Sequence, residues 1–155
     1  MIDYEYYAKK LYKISCKTDA IYHKQALAFG ISDTENILLY IIGEGLASTQ
    51  KEIIDIWGMP KTTLNSAVKK LQRKGLMCFD GKKGKEKELS LTQEGIALAH
   101  KVNMQSNNAE RKAMMETERF IKMMGLTLDD LLSICICYTD NINRELEKAL
   151  ETIDE

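Results

Sequence analysis

The sequence predicts a mainly α-helical fold with one small β-hairpin, arranged as a winged helix-turn-helix with further helices at both ends. Apolar residues recur every three or four positions over most of the chain, as they do on one face of an amphipathic helix. The 155 residues include one proline and nine glycines, so few helix breakers interrupt this pattern. Apolar and polar residues alternate in a short stretch near 76–92, which is typical of paired strands.

Two capping boxes locate the second and third helices. Ser32 precedes Glu35 by three positions and Thr49 precedes Glu52 by the same interval, so each pair can cap a helix start reciprocally. Helix periodicity also marks the segment before them, which ends at Gly30. The residues expected to face the core are Ile37, Leu38, Ile41 and Ile42 in the second helix, and Ile53, Ile56 and Trp57 in the third.

Pro60 predicts the start of a fourth helix. At the first helical position the amide that proline lacks has no partner, and the fixed φ of proline suits the helix. Gly75 ends this helix, and the tight turn at Gly58 separates it from the third, which together predict a helix-turn-helix. The predicted buried stripe of the fourth helix consists of Leu64, Ala67, Val68 and Leu71.

A hairpin with a basic tip is predicted directly after the helix-turn-helix. Short extended segments flank the sequence GKKGKEK at 81–87, and this arrangement is that of a wing. Thr92 then caps a long helix that reaches about Met123, with weak helix formers at 103–110. Thr127 begins the last helix, whose expected apolar stripe is Leu131, Ile134, Tyr138, Ile142, Leu146, Ala149 and Ile153.

Charge is distributed unevenly along the chain. The net charge is −1, but residues 61–87 hold nine basic and two acidic residues, so this block carries +7 and the remainder −8. A basic block in an acidic body is the electrostatic pattern of a polyanion-binding site. The alternative, a winged helix that binds protein, does not require so much positive charge.

The fourth helix and the wing supply the candidate DNA-binding residues. Short polar side chains at the start of the fourth helix are poor helix formers, but they suit base edges and phosphates in the major groove. The lysines near the wing tip suit phosphates or the minor groove. The candidates are Lys61, Thr62, Thr63, Asn65, Ser66 and Lys69 in the helix, with Asn65 for adenine, and Lys82, Lys83, Lys85 and Lys87 in the wing.

The order of these elements resembles the MarR family of winged helix-turn-helix transcriptional regulators. The resemblance rests on STQKEIIDIWGMPKTTLNSAVKKLQRKGLM, on GKKGKEKELSLTQEG and on GLTLDDLLSICICYTDNINRELEK. It implies a homodimer on a palindromic operator, with 1–30 and 125–155 as dimerisation helices, 32–92 as the winged helix-turn-helix and 92–124 as a connecting helix. The wing departs from the family's Asp-x-Arg-Arg-like tip, because its basic residues are all lysine.

The resemblance also implies a switch of DNA affinity by a small effector or by an oxidised cysteine. The tyrosines of the first helix and the late methionines could line a cleft for an apolar, aromatic effector, although dimer core is the alternative use for them. Cys16 is the candidate redox residue, with an inert buried thiol as its alternative. We expect no cofactor, no metal, no enzymatic activity, no secretory signal or membrane span, and a cytoplasmic location.

Overall fold

The computed structural model of the chain describes residues 2–151 and confirms a mainly α-helical fold with one hairpin. Two compact units divide it, the first ending at Ser106 and the second beginning at Asn107. The described elements are α1 (Tyr4–Ala28), α2 (Asp33–Gly43), α3 (Gln50–Trp57), α4 (Lys61–Arg73), β1 (Met77–Lys83), β2 (Glu86–Leu91), α5 (Gln93–Lys122) and α6 (Leu128–Glu151).

Both predicted capping boxes are confirmed. The Ser32 hydroxyl accepts from the Glu35 amide at 3.3 Å, and the Glu35 carboxylate accepts from the Ser32 amide at 2.7 Å. The Thr49 hydroxyl accepts from the Glu52 amide at 3.2 Å, and the Glu52 carboxylate accepts from the Thr49 amide at 3.0 Å. These reciprocal bonds fix where α2 and α3 begin and so set the direction of both helices.

The predicted position of Pro60 is wrong by one residue. Pro60 is the N-cap of α4, with φ −58° and ψ 135°, and the helix begins at Lys61. The proline carbonyl accepts the first helical hydrogen bond from Leu64 at 2.9 Å. The extended ψ is needed because the chain leaves α3 through Gly58, which has φ 62°, and must change direction before α4 starts.

A short backbone pairing that the sequence did not predict joins the start of α3 to the hairpin. Thr49 forms an isolated antiparallel bridge with Glu88, and the Leu89 amide donates to the Ser48 carbonyl at 2.7 Å. The paired segment, residues 48–49, is too short to show strand periodicity in the sequence. It extends the two-stranded sheet along the edge of β2 and ties the wing base to the helix-turn-helix.

The hairpin contains an irregularity halfway along β1. Phe79 pairs with Leu89, but the next aligned residue is Lys82, and Gly81 between them has φ 89°. The positive φ favours glycine, and a Cβ there would lie 3.3 Å from a carboxylate oxygen of Glu88. The bulge separates a basal half of the wing, anchored by buried Leu89, from an exposed distal half.

The predicted buried faces are partly wrong in α2 and α3. In α2 the buried residues include Leu39, whereas Ile37 is 43% exposed. In α3 only Ile53 is buried, and Ile56 and Trp57 are exposed. Helix α3 has eight residues, so its core-facing stripe is shorter than the apolar pattern suggested. The predicted stripe of α4 is confirmed, since Leu64, Ala67, Val68 and Leu71 are all buried.

The second unit contains the end of α5 and the whole of α6. The weak helix formers at 103–110 lie within α5, where no break occurs. Thr127 caps α6, as its predicted place at the helix start implies, with the Asp130 amide donating to the Thr127 hydroxyl at 3.1 Å. Most of the predicted α6 stripe is exposed, and Ile153 lies outside the described residues.

Among the described residues no single helix has the length and apolar character of a membrane span. Taken together, α1 and α2 have the length and composition of one span, but they are bent by 87° relative to each other.

Gly95, in the first turn of α5, is the glycine most tightly enclosed by the fold. A Cβ at this position would lie 1.9 Å from the Leu76 carbonyl oxygen, which is backbone and cannot rotate away. Replacing Gly95 by alanine improves helix propensity by about 1 kcal/mol. We nevertheless expect Gly95→Ala to destabilise the chain by about 2 kcal/mol, because overpacking against backbone outweighs that gain.

Urea unfolding of Gly95→Ala beside the wild type measures this effect. Gln93→Ala, on the exposed side of the same turn, is the matched control and should stay within about 0.5 kcal/mol of wild type. A Gly95→Ala protein that is as stable as wild type would show that α5 does not pack on Leu76 as described.

Candidate nucleic-acid interface

Burial of one face of α4 determines which side chains its opposite face presents. Because Leu64, Ala67, Val68 and Leu71 all point into the core, the residues between them face outward. Five of the six predicted helix candidates are exposed: Lys61, Thr62, Thr63, Ser66 and Lys69. The first turn of α4 has no side-chain cap, so its backbone amides are not occupied by the Pro60 side chain.

Asn65 is half-buried and differs from the other five. Its side-chain oxygen accepts a hydrogen bond from the Gln50 amide group at 2.9 Å, so it is held against the first turn of α3. The bond fixes the orientation of the Asn65 amide plane. It also occupies one of the two lone pairs of the oxygen with which Asn65 would accept a hydrogen bond from adenine N6.

A polar cleft of about 360 Å³ lies between the start of α2 and the exposed side of α4. Hydroxyl groups dominate its lining, and one lysine supplies the charge. The predicted residues Thr62, Thr63 and Ser66 therefore share one surface with the beginning of α2. The lining residues are Ser32, Thr34, Thr62, Thr63, Ser66, Ala67 and Lys70.

One face of the distal wing carries two lysines directly opposite each other. Lys82 pairs with Lys87 across the antiparallel register. Like charges in opposite positions repel, and an anion between them would relieve the repulsion. The Lys87 ammonium lies 5.4 Å from the centre of the Phe79 ring, so a cation–π contact helps to position it. Both lysines remain exposed, as does Lys85 at the tip.

The other wing lysine, Lys83, is engaged within the protein. Its ammonium lies 2.5 Å from a carboxylate oxygen of Glu52. Hydrogen bonds from Lys83 and from the Ser48 and Thr49 amides lower the pKa of Glu52 to about 2. The hydrogen bond with the Glu52 carboxylate raises the pKa of Lys83. Lys83 was predicted as a phosphate contact on equal terms with its neighbours, and the structure gives it a different environment.

A second lysine of the basic block also has an internal partner. The Lys74 ammonium lies 2.8 Å from a carboxylate oxygen of buried Glu35. That oxygen has no partner with hydrogen-bond geometry, so the contact is electrostatic rather than a directed bond. Burial alone would raise the pKa of Glu35, but Lys74 and the Ser32 cap outweigh it and lower the pKa.

The cysteines and histidines are the remaining candidates for redox or metal chemistry. Cys16 is exposed on α1 in the single chain, and its hydrogen bond with Tyr12 raises the pKa of the tyrosine. His23 lies 2.9 Å from Asp33, which links α1 to the start of α2. Within residues 2–151 there is no cluster of three or more His, Cys, Asp or Glu side chains placed to hold a metal ion.

Sequence reasoning missed the roles of Gln50, Glu52 and Thr34 in this surface. Glu52 was recognised as a cap, but its second oxygen reaches a lysine 31 positions away. Contacts at such separations leave no periodic signal. The acidic residue within reach of the wing could have been suspected only from the fold, once the wing base was known to lie beside α3.

Comparison with known proteins finds a family model that matches part of this chain. Residues 29–77, which span the helix-turn-helix, match the model of the MarR family. The resemblance inferred from the sequence is thereby confirmed. No curated relative matches the chain.

Solved structures with similar folds include regulators with and without DNA. A MarR family regulator from Neisseria meningitidis has a TM-score of 0.65 at 19% identity, covering 93% of this chain and 99% of that one. The MepR–DNA complex from Staphylococcus aureus has a TM-score of 0.56 at 19% identity, covering 75% and 85%. NadR in complex with 4-hydroxyphenylacetate has a TM-score of 0.64 at 15% identity, covering 80% and 87%. These likenesses show the shared fold.

The lowered pKa of Glu52 predicts acid sensitivity of the fold. The pKa falls from an ordinary 4.5 to about 2 in the folded chain, so the unfolded chain binds the proton more tightly. The stabilisation from ionised Glu52 is therefore complete above about pH 4.5, declines as the pH falls, and is absent below about pH 2. Urea midpoints of wild type and Glu52→Gln should converge between about pH 6 and about pH 3.

Glutamine retains an oxygen that can accept the two cap hydrogen bonds, so this comparison isolates the charge. Glu147→Gln, at an exposed position of α6, serves as the control and should run parallel to wild type. Midpoints of wild type and Glu52→Gln that differ by a constant amount at every pH would contradict the assigned pKa.

Proposed function

We propose that this chain is a winged helix-turn-helix transcriptional regulator of the MarR family, which binds double-stranded DNA of palindromic sequence as a homodimer and acts as a repressor. Helix α4 enters the major groove, and the wing contacts the adjacent backbone. The chain regulates transcription without catalysis and acts in the cytoplasm. The observation that carries the proposal is the exposed polar and basic face of α4 beside a wing with two directly opposed lysines.

The two parts of this surface have different chemical roles in the proposal. Lys61 and Lys69 provide positive charge beside the short hydroxyl side chains of α4, which suit base edges and phosphate oxygens. Lys82, Lys85 and Lys87 neutralise backbone phosphates. A lysine serves well there because a phosphate contact needs only a point charge, whereas base recognition needs fixed donors and acceptors.

Apolar residues on the terminal helices support the homodimer. On α1, Tyr4 is 76% exposed and Ile14 is 59% exposed. On α6, Ile142 is 41% exposed and Leu146 is 55% exposed. Helices this apolar are stable in water when a partner covers them, and a second copy of the chain is the partner that places two α4 helices on one duplex. We assign 1–30 and 125–155 to this interface, 32–92 to the DNA-binding part and 92–124 to the connection.

A small aromatic effector is the proposed regulator of DNA affinity. Tyrosines on the exposed side of α1, including Tyr4, Tyr7 and Tyr12, provide ring surfaces and hydroxyls for such a ligand. The similar fold of NadR in complex with 4-hydroxyphenylacetate supports this ligand class. The alternative switch is oxidation of exposed Cys16. Loss of DNA binding on peroxide treatment, prevented by Cys16→Ser, would favour the redox switch.

Phosphate contacts and base contacts should respond differently to substitution. Lys82→Met should weaken binding to all DNA sequences alike. Since each lost phosphate contact changes the salt slope by about 0.9, and a dimer loses two, the slope should fall by about two units. Asn65→Ala should reduce the preference for the operator over random DNA, by an amount on the order of 1–3 kcal/mol, and leave the salt slope unchanged.

Fluorescence anisotropy with a genome-selected fragment and a scrambled fragment, at several salt concentrations, measures both effects. Lys101→Met, at an exposed lysine of α5 away from the proposed surface, is the matched control and should change neither quantity. Equal behaviour of Asn65→Ala and Lys82→Met would mean that the base-reading face of α4 is misassigned. Binding of the Lys101→Met control to a neutral polymer gives the background affinity. If wild-type protein binds neither DNA fragment more tightly than this background, DNA binding is refuted.

The homodimer is tested by placing charge on the apolar face of α6. Ile142→Asp combined with Leu146→Asp should convert dimer to monomer, because two carboxylates would be buried without partners in each half of the interface. Sedimentation velocity at micromolar concentration reports the change, with Asn143→Asp as the control on the same helix. A wild-type chain that sediments as a stable monomer would rule the dimer out.

A further inference from the structure

Glu52 connects the start of α3 to the wing through one carboxylate. One oxygen accepts from the backbone amides of Ser48 at 2.9 Å and Thr49 at 3.0 Å. The other oxygen contacts the Lys83 ammonium at 2.5 Å. The carboxylate is therefore held in place by the start of α3 before it meets the wing. Such a fixed acceptor orders a lysine at a smaller entropic cost than a freely rotating surface glutamate.

Lys83 lies in the distal half of the wing, which has few other contacts with the rest of the fold besides the one between Lys83 and Glu52. The bulge between Phe79 and Lys82 interrupts the ladder, and beyond it β1 and β2 pair only at Lys82–Lys87 and Lys83–Glu86. The basal half of the wing is anchored by buried Leu89 and by the bond to Ser48. The distal half has no buried residue, so the contact with Glu52 is the described side-chain link between that half and α3.

Charge divides the two faces of the distal wing. Lys83 pairs across the strands with Glu86 and lies near Glu88 as well as Glu52. A phosphate that approaches Lys83 would therefore meet three carboxylates. Lys82 and Lys87 lie on the opposite face of the pleat, because neighbouring residues of a strand point to opposite sides. The phosphate-binding face of the wing is consequently the one that carries Lys82 and Lys87.

The geometry points to Glu52 and Lys83 as a strut that fixes the wing relative to α3, so that Lys83 is a positioning residue and not a phosphate contact. This inference rests on the proposed DNA-binding function for its purpose. Neighbouring Gln50 holds Asn65 of α4 from the same helical turn, at 2.9 Å. The first turn of α3 thus sets the separation between α4 and the phosphate-binding face of the wing.

The strut is tested first without DNA. Steady-state 15N–1H NOE values of the wing amides around Gly84 report its mobility in the wild type, Lys83→Met, Glu52→Gln and the double variant. We expect both single variants and the double variant to lower these values to the same extent, since each removes the same link. Lys101→Met, at an exposed lysine of α5 away from the wing, is the control and should leave them unchanged. Wing values that stay at the wild-type level in Lys83→Met would overturn the strut.

Salt-dependent DNA binding provides the second test. Lys83→Met should weaken binding about 2- to 5-fold, the range of a surface ion pair, and leave the salt slope at its wild-type value. A slope that falls by about two units, as expected for Lys82→Met, would make Lys83 a phosphate contact and overturn the inference. Tighter DNA binding by Glu52→Gln would do so too, because it would mean that Glu52 competes with DNA for Lys83.

The two tests separate the inference from the proposed function. If wild-type protein binds no DNA, the proposed function fails while the NOE comparison still decides whether the strut exists. If DNA is bound and the wing of Lys83→Met is as ordered as that of wild type, the strut fails and the proposed function stands.

Discussion

The carboxylate of Glu52 is the contact on which the arrangement of the proposed DNA-binding surface depends. It caps the first turn of α3 through Ser48 and Thr49, and it holds Lys83 of the wing. The direction of α3 is set by this cap, and the direction of α4 follows from α3 through the tight turn at Gly58. A single short turn therefore controls where the chain places both elements that we propose to meet DNA.

Internal ion pairs reduce the positive charge that the basic block, residues 61–87, leaves available to a partner. Counted along the sequence, residues 61–87 carry +7. In the fold, Lys74 lies against Glu35 and Lys83 against Glu52, so two of these charges stabilise the protein itself. The charges left for a polyanion lie on the exposed side of α4 and on the Lys82 face of the wing. The result is a smaller, directional positive surface than the sequence count suggests, and this is the surface that we propose to face the duplex.

Local signals in the sequence were sufficient for most of the fold. Capping boxes such as Ser32–Glu35, stop glycines such as Gly30 and the buried stripe of α4 depend on neighbours within one or two turns, and all are confirmed. Errors arose where tertiary contacts determine which residue is buried. Leu39 lies in the core in place of Ile37. The two residues are equally apolar, so the sequence could not distinguish them, and the packing partners of α2 decide which one is buried.

The candidate site was predictable as a surface but not as a set of contacts. The exposed face of α4 followed from its buried stripe, whereas the bond between Gln50 and Asn65 joins two helices and has no sequence signature. The separate environments of Lys82 and Lys83 depend on the bulge before them, which shifts the strand register. Residue type and spacing alone made the wing lysines equivalent, and the fold makes them different.

We expect Glu52 to hold Lys83 both in the free protein and on DNA. Long-range NMR correlations through the hydrogen bond, between the Lys83 ammonium nitrogen and the Glu52 carboxylate carbon, measure this contact directly. The correlation should be present in the free protein and should persist when a saturating duplex is added. Its absence from the free protein, or its loss when DNA binds, would contradict the claim.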